Sequence, residues 1–411
     1  MYLSAGRAAD AAQGLPAPGR RKAVPGTVPG TVLALGLVSM VTDISAEMVT
    51  AVLPLYLVAG LGMSPLAFGA LDGLHHGATA LLRLAGGRIA DRTHRRKLVA
   101  GAGYAISAVC KGALLFVTTP WSVAAVLAAD RTGKGLRTAP RDALISLSCP
   151  PEDQGRAFGV HRALDTAGAL LGPLAAFALL WVVVDGYDAV FTVSCGIALL
   201  GVLLLALFVR ESPAPAVARP PLPPVRTLVR IPGLRRLCLI ACTLGLFTVG
   251  DAFLYLLLQD RLALRAAYFP LLPVGTAAVF LLGALPVGRL ADRLGRVRVF
   301  LGGHVLLCGA CLLLLTPLPA APLVAGVLLL HGLFYAATDG VLMAAAGPML
   351  PRELRTTGLA VLQTAQALAR LAGSLLFGAV WTLWGPEPAL WTAAGGLLLA
   401  LIPALRHLRK A

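Results

Sequence analysis

The sequence predicts an all-α integral membrane protein whose twelve spanning helices form two six-helix bundles related by a pseudo-two-fold axis. Three observations predict it. Apolar residues make up 58% of the chain and charged residues 13%, with mean hydropathy +0.82; a soluble domain is nearer about 45–50% apolar and ~25% charged. The apolar residues fall into twelve runs, each near the ~20 residues that cross a bilayer. And "GRIADRTHRRK" from Gly87 is written again as "GRLADRLGRVR" from Gly288.

Residues 1–30 are rich in Ala, Gly, Pro and Arg and hold no apolar run, which predicts a disordered cytoplasmic tail. A signal peptide is excluded because the first apolar stretch is long and carries Asp43 and Glu47. Six runs follow, near 31–59, 65–86, 98–118, 121–147, 155–184 and 188–209, giving an N-terminal bundle over 31–209. Residues 210–236, full of Pro and Arg, cannot span and are read as a linker. Six more runs, near 237–259, 266–287, 298–316, 322–349, 356–384 and 388–406, give a C-terminal bundle over 237–406, with a short tail at 407–411.

Orientation follows from the loops, because Lys and Arg are retained on the cytoplasmic side. With the N-terminal tail inside, that side receives Arg20, Arg21, Lys22, the 88–97 run, the linker, Arg289 to Arg298, Arg352, Arg355 and the closing "RHLRK". The loops "AGLGMSP", "VTTPW", "VVDGYD", "TPLPAAP" and "WGPEPAL" carry no Lys or Arg; only Arg261 and Arg265 fall outside. Both termini are thus expected in the cytoplasm. The formal charge of +16 is this loop bias rather than a nucleic-acid footprint, since no stacking aromatics are interleaved with the Arg runs. The chain has no Asn, little Lys against Arg, and much Ala, Gly and Pro, a bias of GC-rich bacterial genomes that points to a bacterial plasma membrane. Cys308 and Cys311 form a C-x-x-C inside a Leu-rich run and are read as packing residues.

The two "GR-ADR" copies sit between the second and third and between the eighth and ninth runs, so they mark an internal duplication of parallel halves. "PPEDQGRAFG", ending at Gly159, and "LPRELRTTG", ending at Gly358, echo each other in the same way. At these residues the chain resembles the major facilitator superfamily, over all twelve runs. Its signature G-x-x-x-D-R-x-G-R-R is matched by Gly87, Asp91, Arg92, Arg95 and Arg96, with His94 where the second Gly stands. The second copy keeps Gly288, Asp292, Arg293, Gly295 and Arg296, with Val297 where a basic residue is usual. A small residue at Gly87 lets a neighbouring helix approach. Asp91 is suited to capping a helix start and pairing with the Arg cluster, which also suits lipid phosphates, a latch that breaks when the halves move. Gly159, Gly168, Gly172 and Pro173 reproduce the spacing G-x8-G-x3-G-P. This resembles the fifth-helix signature of the superfamily's antiporters, with Ala176 in place of its last Gly, and the resemblance implies export.

Charges inside spans are costly and mark function by default. Asp43 and Glu47 lie four apart on one helix face. The second run holds Asp72, His75 and His76; the fourth holds Asp130, Arg131, Lys134, Arg137, Arg141 and Asp142; the fifth holds His161, Arg162 and Asp165. Asp43, Asp130, Arg131 and Arg162 fall near mid-depth, at ~1.5 Å per residue. The other half is poorer in charge: Asp251 lies roughly where Glu47 does, Asp339 in the tenth run and Arg370 in the eleventh. Lys111 must find an acid or snorkel. Arg131 followed by Gly135 resembles the superfamily's R-x-x-x-G element, which implies proton coupling, and Arg131 is the expected partner of Asp43 and Glu47.

The expected function is secondary active transport by alternating access: proton-coupled efflux of a small organic solute, by a monomer in a lipid bilayer, with no cofactor and no bound metal. A divalent-metal or other uptake or uniport carrier is the alternative, motivated by Asp43, Glu47, Asp72, His75 and His76, against which Arg131, Lys134 and Arg162 would repel cations. A membrane-embedded enzyme is the remote third. "TGKG" is no phosphate loop, because Ala128 and Gly135 stand where Gly and Ser or Thr are needed. Reporter fusions at Pro221 and Ala411 are expected to read cytoplasmic, and a periplasmic readout at either would remove the twelve-span arrangement.

Overall fold

The computed structural model describes residues 29–73, 95–149, 153–209, 231–350 and 355–408, and among them every regular element is helical. The first half of the chain supplies α1 (Gly30–Leu55, ending in a π turn at Tyr56–Gly60), α2 (described over 65–73), α3 (Arg96–Ala113), α4 (Pro120–Leu147), α5 (Gln154–Val182) and α6 (Tyr187–Phe208). The second half supplies α7 (Pro232–Gly245), α8 (Asp251–Leu262), α9 (Leu271–Leu294), α10 (Arg296–Leu313), α11 (Ala320–Thr338), α12 (Val341–Ala346), α13 (Arg355–Trp384) and α14 (Pro386–Leu408). Eight of the described helices are long and apolar enough to cross a membrane. Several keep whole apolar faces exposed, such as Leu199, Leu203 and Leu207 on α6 and Leu398, Leu399, Ile402 and Leu405 on α14. Lipid covers such faces; water would not.

Two expected single spans are broken. The seventh run divides into α7 and α8, because Thr248, Val249 and Gly250 favour helix poorly and Asp251 complements the positive end of a new helix start. The tenth divides at Asp339 and Gly340, where Gly340 takes φ +78°, the left-handed conformation that ends helices. α7 begins at Pro232, inside the stretch read as linker, with proline at the first helical position.

The helix pairings repeat. In the first half α1 packs on α5 and α6, and α3 on α4 and α6. In the second, α7 packs on α13 and α14, and α10 on α11 and α14. Counted in spans, these are the same pairs shifted by six.

Small residues decide how closely the helices meet. A Cβ on Gly168 would overlap the Met40 carbonyl, and one on Gly172 would lie 2.7 Å from the Ile44 carbonyl and 2.8 Å from Cβ of Glu47. Backbone-to-backbone contact of α5 with α1 therefore requires both. Gly159 is different, since a Cβ there would meet nothing within 4 Å.

Arg261, an exception to the loop charge pattern, donates to the carbonyls of Leu314 and Thr316 and so satisfies the open end of α10. The seven cysteines are free; Cys308 and Cys311 are buried, as packing residues are.

Gly172→Ala is expected to cost about 1–3 kcal/mol, the usual penalty of overpacking. Its thermal unfolding in detergent should shift downward, while Gly159→Ala should unfold like the parent.

Candidate functional site

Charge enters the core of the first half as a ladder. α4 presents Arg141, Arg137, Lys134 and Arg131 at intervals of four, three and three residues, which is one helical face. Facing it, α1 presents Ser39, Asp43 and Glu47 at intervals of four, and α5 presents Asp165. The two helices run in opposite directions, so the rungs meet in order. Arg141 lies 3.8 Å from Asp165 and 3.0 Å from Asp142. Arg137 lies 3.5 Å from Asp43, with both side chains largely buried. Lys134 lies 3.9 Å from Glu47. At the far end Asp130 accepts from Lys111 at 3.0 Å and lies 3.4 Å from Arg131.

Each rung is held by local packing. Gly103 on α3 and Gly133 on α4 leave room for backbone contact, a Cβ on either lying 2.6 Å from the other's carbonyl oxygen. That approach lets Lys111 reach across to Asp130, which answers its need for an acid. The Arg137 guanidinium sits 4.4 Å above the Tyr104 ring, a cation–π contact that fixes it beneath Asp43. Ser39 donates to Asp165 at 2.7 Å and accepts from Arg141 at 3.1 Å. Ser45 and Ser194 bond each other across α1 and α6.

The ladder corrects two expectations. Asp43 pairs with Arg137, not Arg131, because Arg131 lies nearly two turns beyond on α4 and is held by Asp130. Arg162 is not a core charge: its side chain is 79% exposed and touches the ladder only through Asp165 at 4.0 Å. The neighbouring His161, about 100° round the helix, is the buried one.

Above the ladder lies a cavity of about 190 Å³. Its lining includes Glu47, Asp72, Arg131 and Asp251, among apolar and aromatic side chains such as Leu57, Phe68, Tyr255 and Phe269. α1, α2, α4 and α5 contribute one side, and α8 and α9 the other, so it lies between the two halves of the chain. Pro173, of the fifth-helix motif, is part of the wall. A small adjoining cleft gathers Asp72, Asp251, Tyr335, Arg370 and Ser374, with Ser374 donating to Asp72 at 3.0 Å. Asp339 joins neither; it is exposed at the end of α11.

One end of the cavity is sealed where the halves touch. Gly69 and Gly73 of α2 and Gly378 of α13 sit where a Cβ would overlap the opposing backbone. The backbone N–H of Leu66 donates to Thr382 at 2.9 Å. Phe253 packs on Phe68, Phe377 and Trp381 at 5.2, 4.9 and 5.8 Å. Trp181 of α5 meets Tyr268 at 5.7 Å. These contacts lie at the end of α1 remote from Gly30.

The repeated loop is described only in part. Gly87, Asp91 and Arg92 lie outside the described residues, as do His75 and His76; Arg95 is exposed at the start of α3 and Arg96 is half-buried. In the second copy Asp292 pairs with Arg296 at 3.2 Å, and Arg296 donates to the Ala344 carbonyl at 2.7 Å, tying the α9–α10 turn to α12. Asp292 caps no helix here, and Arg293 is exposed. Gly288 admits no close neighbour, since a Cβ there would meet nothing. Gly295 is the residue the turn requires, at φ +99°.

Sequence reasoning named Arg137 and Arg141 among the buried charges but gave them no partners, and it did not name Ser39, Tyr335 or Ser374. The first two were legible as the 134–137–141 spacing on one helix face. The others depend on contacts between distant segments. Among the described residues no group of three or more His, Cys, Asp or Glu is arranged to hold a metal.

The family model described as Major Facilitator Superfamily matches residues 35–285 and 237–411. An uncharacterised MFS-type transporter of Methanocaldococcus jannaschii is 28% identical over 384 residues, 91% of this chain and 93% of that protein. A multidrug resistance protein, MdtH, of Photorhabdus laumondii is 27% identical over 154 residues, 38% of this chain and 37% of that one. Among solved structures, a mutant of the nucleoside transporter NupG superposes with TM-score 0.77 at 14% identity, covering 92% of this chain and 99% of that one. A POT family transporter in complex with 5-aminolevulinic acid gives TM-score 0.75 at 14% identity, over 93% and 96%. At these identities the structures share the fold.

Breaking a buried pair on one side leaves an uncompensated charge, at about 3–5 kcal/mol. Asp130 serves two cations, so Asp130→Asn is expected to destabilise more than Lys111→Met, which leaves Asp130 with Arg131. The Lys111→Met/Asp130→Asn double variant should unfold at a higher temperature than Asp130→Asn alone.

Proposed function

Since the chain belongs to the Major Facilitator Superfamily and is a multi-pass membrane transporter, we propose that it exports a small organic cation in exchange for protons. The charge ladder carries this reading. Carboxylates facing movable cations across two helices are groups whose proton affinity changes when the helices separate. Asp43 with Arg137 and Glu47 with Lys134 are such pairs, at 3.5 and 3.9 Å, and Glu47 also lines the cavity. Protonation at the ladder is thereby linked to the space where a substrate sits.

The cavity supports the substrate class. Three carboxylates and one guanidinium, already matched by Asp130, face a largely apolar wall. Such a lining favours a solute with a positive charge and an apolar body. The match to a multidrug resistance protein agrees with export of organic compounds. The repeated helix pairings support two parallel six-helix bundles at 31–209 and 237–406, joined by a cytoplasmic linker. With both termini in the cytoplasm, the sealed end is the outer one, and this is the state closed to the outside. Asp91 and Asp292 of the repeated loops are assigned to a charged latch that breaks when the halves move, in a monomeric protein of a bacterial plasma membrane. A divalent metal ion fits less well, because Asp43 and Glu47 are already engaged by cations.

Purified protein in inside-out vesicles should take up ethidium faster when the lumen is acid than when both sides match. Asp43→Asn should bring the ratio of the two rates to one. Equal rates for the unmodified protein would replace exchange by uncoupled transport.

A further inference from the structure

Asp165 was expected to be one charge among many in the first half, and His161 was given no role. The structure places them together at the inner edge of the ladder. Asp43 on α1 and Asp165 on α5 face the same stretch of α4, Asp43 through Arg137 and Asp165 through Arg141, on helices whose backbones touch at Gly168, so the two carboxyl groups are electrostatic neighbours. Neither carboxylate has a proton of its own to donate, so two such neighbours repel unless a proton lies between them. Ser39 fixes Asp165 at 2.7 Å and Arg137 fixes Asp43 at 3.5 Å, so neither carboxyl is at liberty to swing away.

His161 supplies the second observation. It stands four residues before Asp165 on α5, hence on the same face and one turn nearer the helix start. It is 4% exposed, and its Nε2 bonds no described protein atom. A buried ring nitrogen beside a charged pair, with no partner among the described residues, is open to a proton or to water that carries one. The Tyr104 hydroxyl, from α3, is likewise buried with no partner among the described residues.

We propose that Asp43 and Asp165 form one proton-binding site, reached from the α5 N-terminal end of the bundle through His161. This deepens the proton-exchange reading above and rests on it. The step moves one proton and no electrons: an N–H bond on the imidazole breaks as an O–H bond on the carboxyl pair forms, and the ring is reprotonated from the aqueous side. Among the described residues, the groups that face the site are these. α1 brings Glu47, one turn further on; α4 brings Lys134, Arg137, Arg141 and Asp142; α5 brings His161, with Arg162 turned outward; α3 brings Tyr104. α6 meets α1 here through Gly201 against Thr42 and Ser194 against Ser45, and brings no charge.

The consequence is mechanical. With both carboxyls ionised, Arg137 and Arg141 each face a full negative charge, and α4 is drawn to α1 and α5. With one proton shared, the two guanidiniums face half that charge and the seam loosens. Arg131, on the same face of α4, lines the cavity, so the loosening reaches the substrate space.

Infrared difference spectra between acid and alkaline solution test the site directly in purified full-length protein. The unmodified protein should show a protonated-carboxyl C=O band that titrates in one step. Asp43→Asn and Asp165→Asn should each remove or shift it, and Glu47→Gln should leave it. Should Asp165→Asn fail to elute as a single species from detergent, Asp165→Glu is the substitute and should shift the band. His161→Gln should keep the band but slow its appearance after a pH jump, by about tenfold if the ring lowers the transfer barrier by about 1.4 kcal/mol. A band indifferent to changes at Asp165 overturns the shared site, and an unchanged rate in His161→Gln overturns the route. Ethidium uptake that ignores the pH gradient while the band behaves as stated would instead remove the exchange reading and leave the site standing.

Discussion

The cost of a buried charge organises this molecule. Five cations and five acids enter the interior of the first half on α1, α3, α4 and α5. None is stable there alone, since the effective penalty is several kcal/mol per ion even after relaxation. The arrangement that satisfies them sets the basic face of α4 in register with the acids of α1 and α5, while Lys111 of α3 reaches Asp130. Helix order, register and rotation in this half all follow from that demand. A one-residue rotation of α4 would carry Arg137 away from Asp43 and Lys134 from Glu47 at once.

Glycine supplies the distances the charges need. Gly103 against Gly133, and Gly168 and Gly172 against α1, bring backbones into contact, and only then do short side chains such as Asp43 and Asp165 reach across the seam. Close packing between helices is the main source of stability inside a bilayer, where no hydrophobic drive separates helix from lipid. The same residues therefore hold the bundle and set the geometry of its polar core.

The second half is built on other terms. It carries few buried charges, and two of its spans are interrupted, at 246–250 and at Asp339–Gly340. The α8 start places Asp251 at the cavity, opposite Asp72. Broken helices at membrane depth occur where the freed backbone lines a cavity or is buried in protein. The two halves thus divide the work, with a charged and tightly sealed ladder on one side and a jointed, aromatic wall on the other. At the sealed end they meet through glycine and aromatic contacts of α2, α8 and α13, which separate without stranding an ion pair.

Much of this was written in the sequence. The all-helical, membrane-spanning character and the internal repeat are legible because bilayer thickness fixes the length of an apolar run and duplication copies motifs such as "GR-ADR". The buried charges were legible too, since the penalty for placing Asp43, Asp130 or Lys111 in a span makes each conspicuous. Their partners were not. Arg137 and Arg131 differ by less than two turns on one helix, and only the relative height of α1 and α4 makes Arg137 the partner of Asp43. Arg162 and His161 are adjacent in sequence, and only the rotation of α5 buries one and exposes the other. Gly168 and Gly159 belong to one motif, yet α1 passes close to the first alone. Composition and periodicity record what a segment must avoid; which neighbour relieves it is a property of helix register and rotation, and those are fixed by packing across segments far apart in the chain.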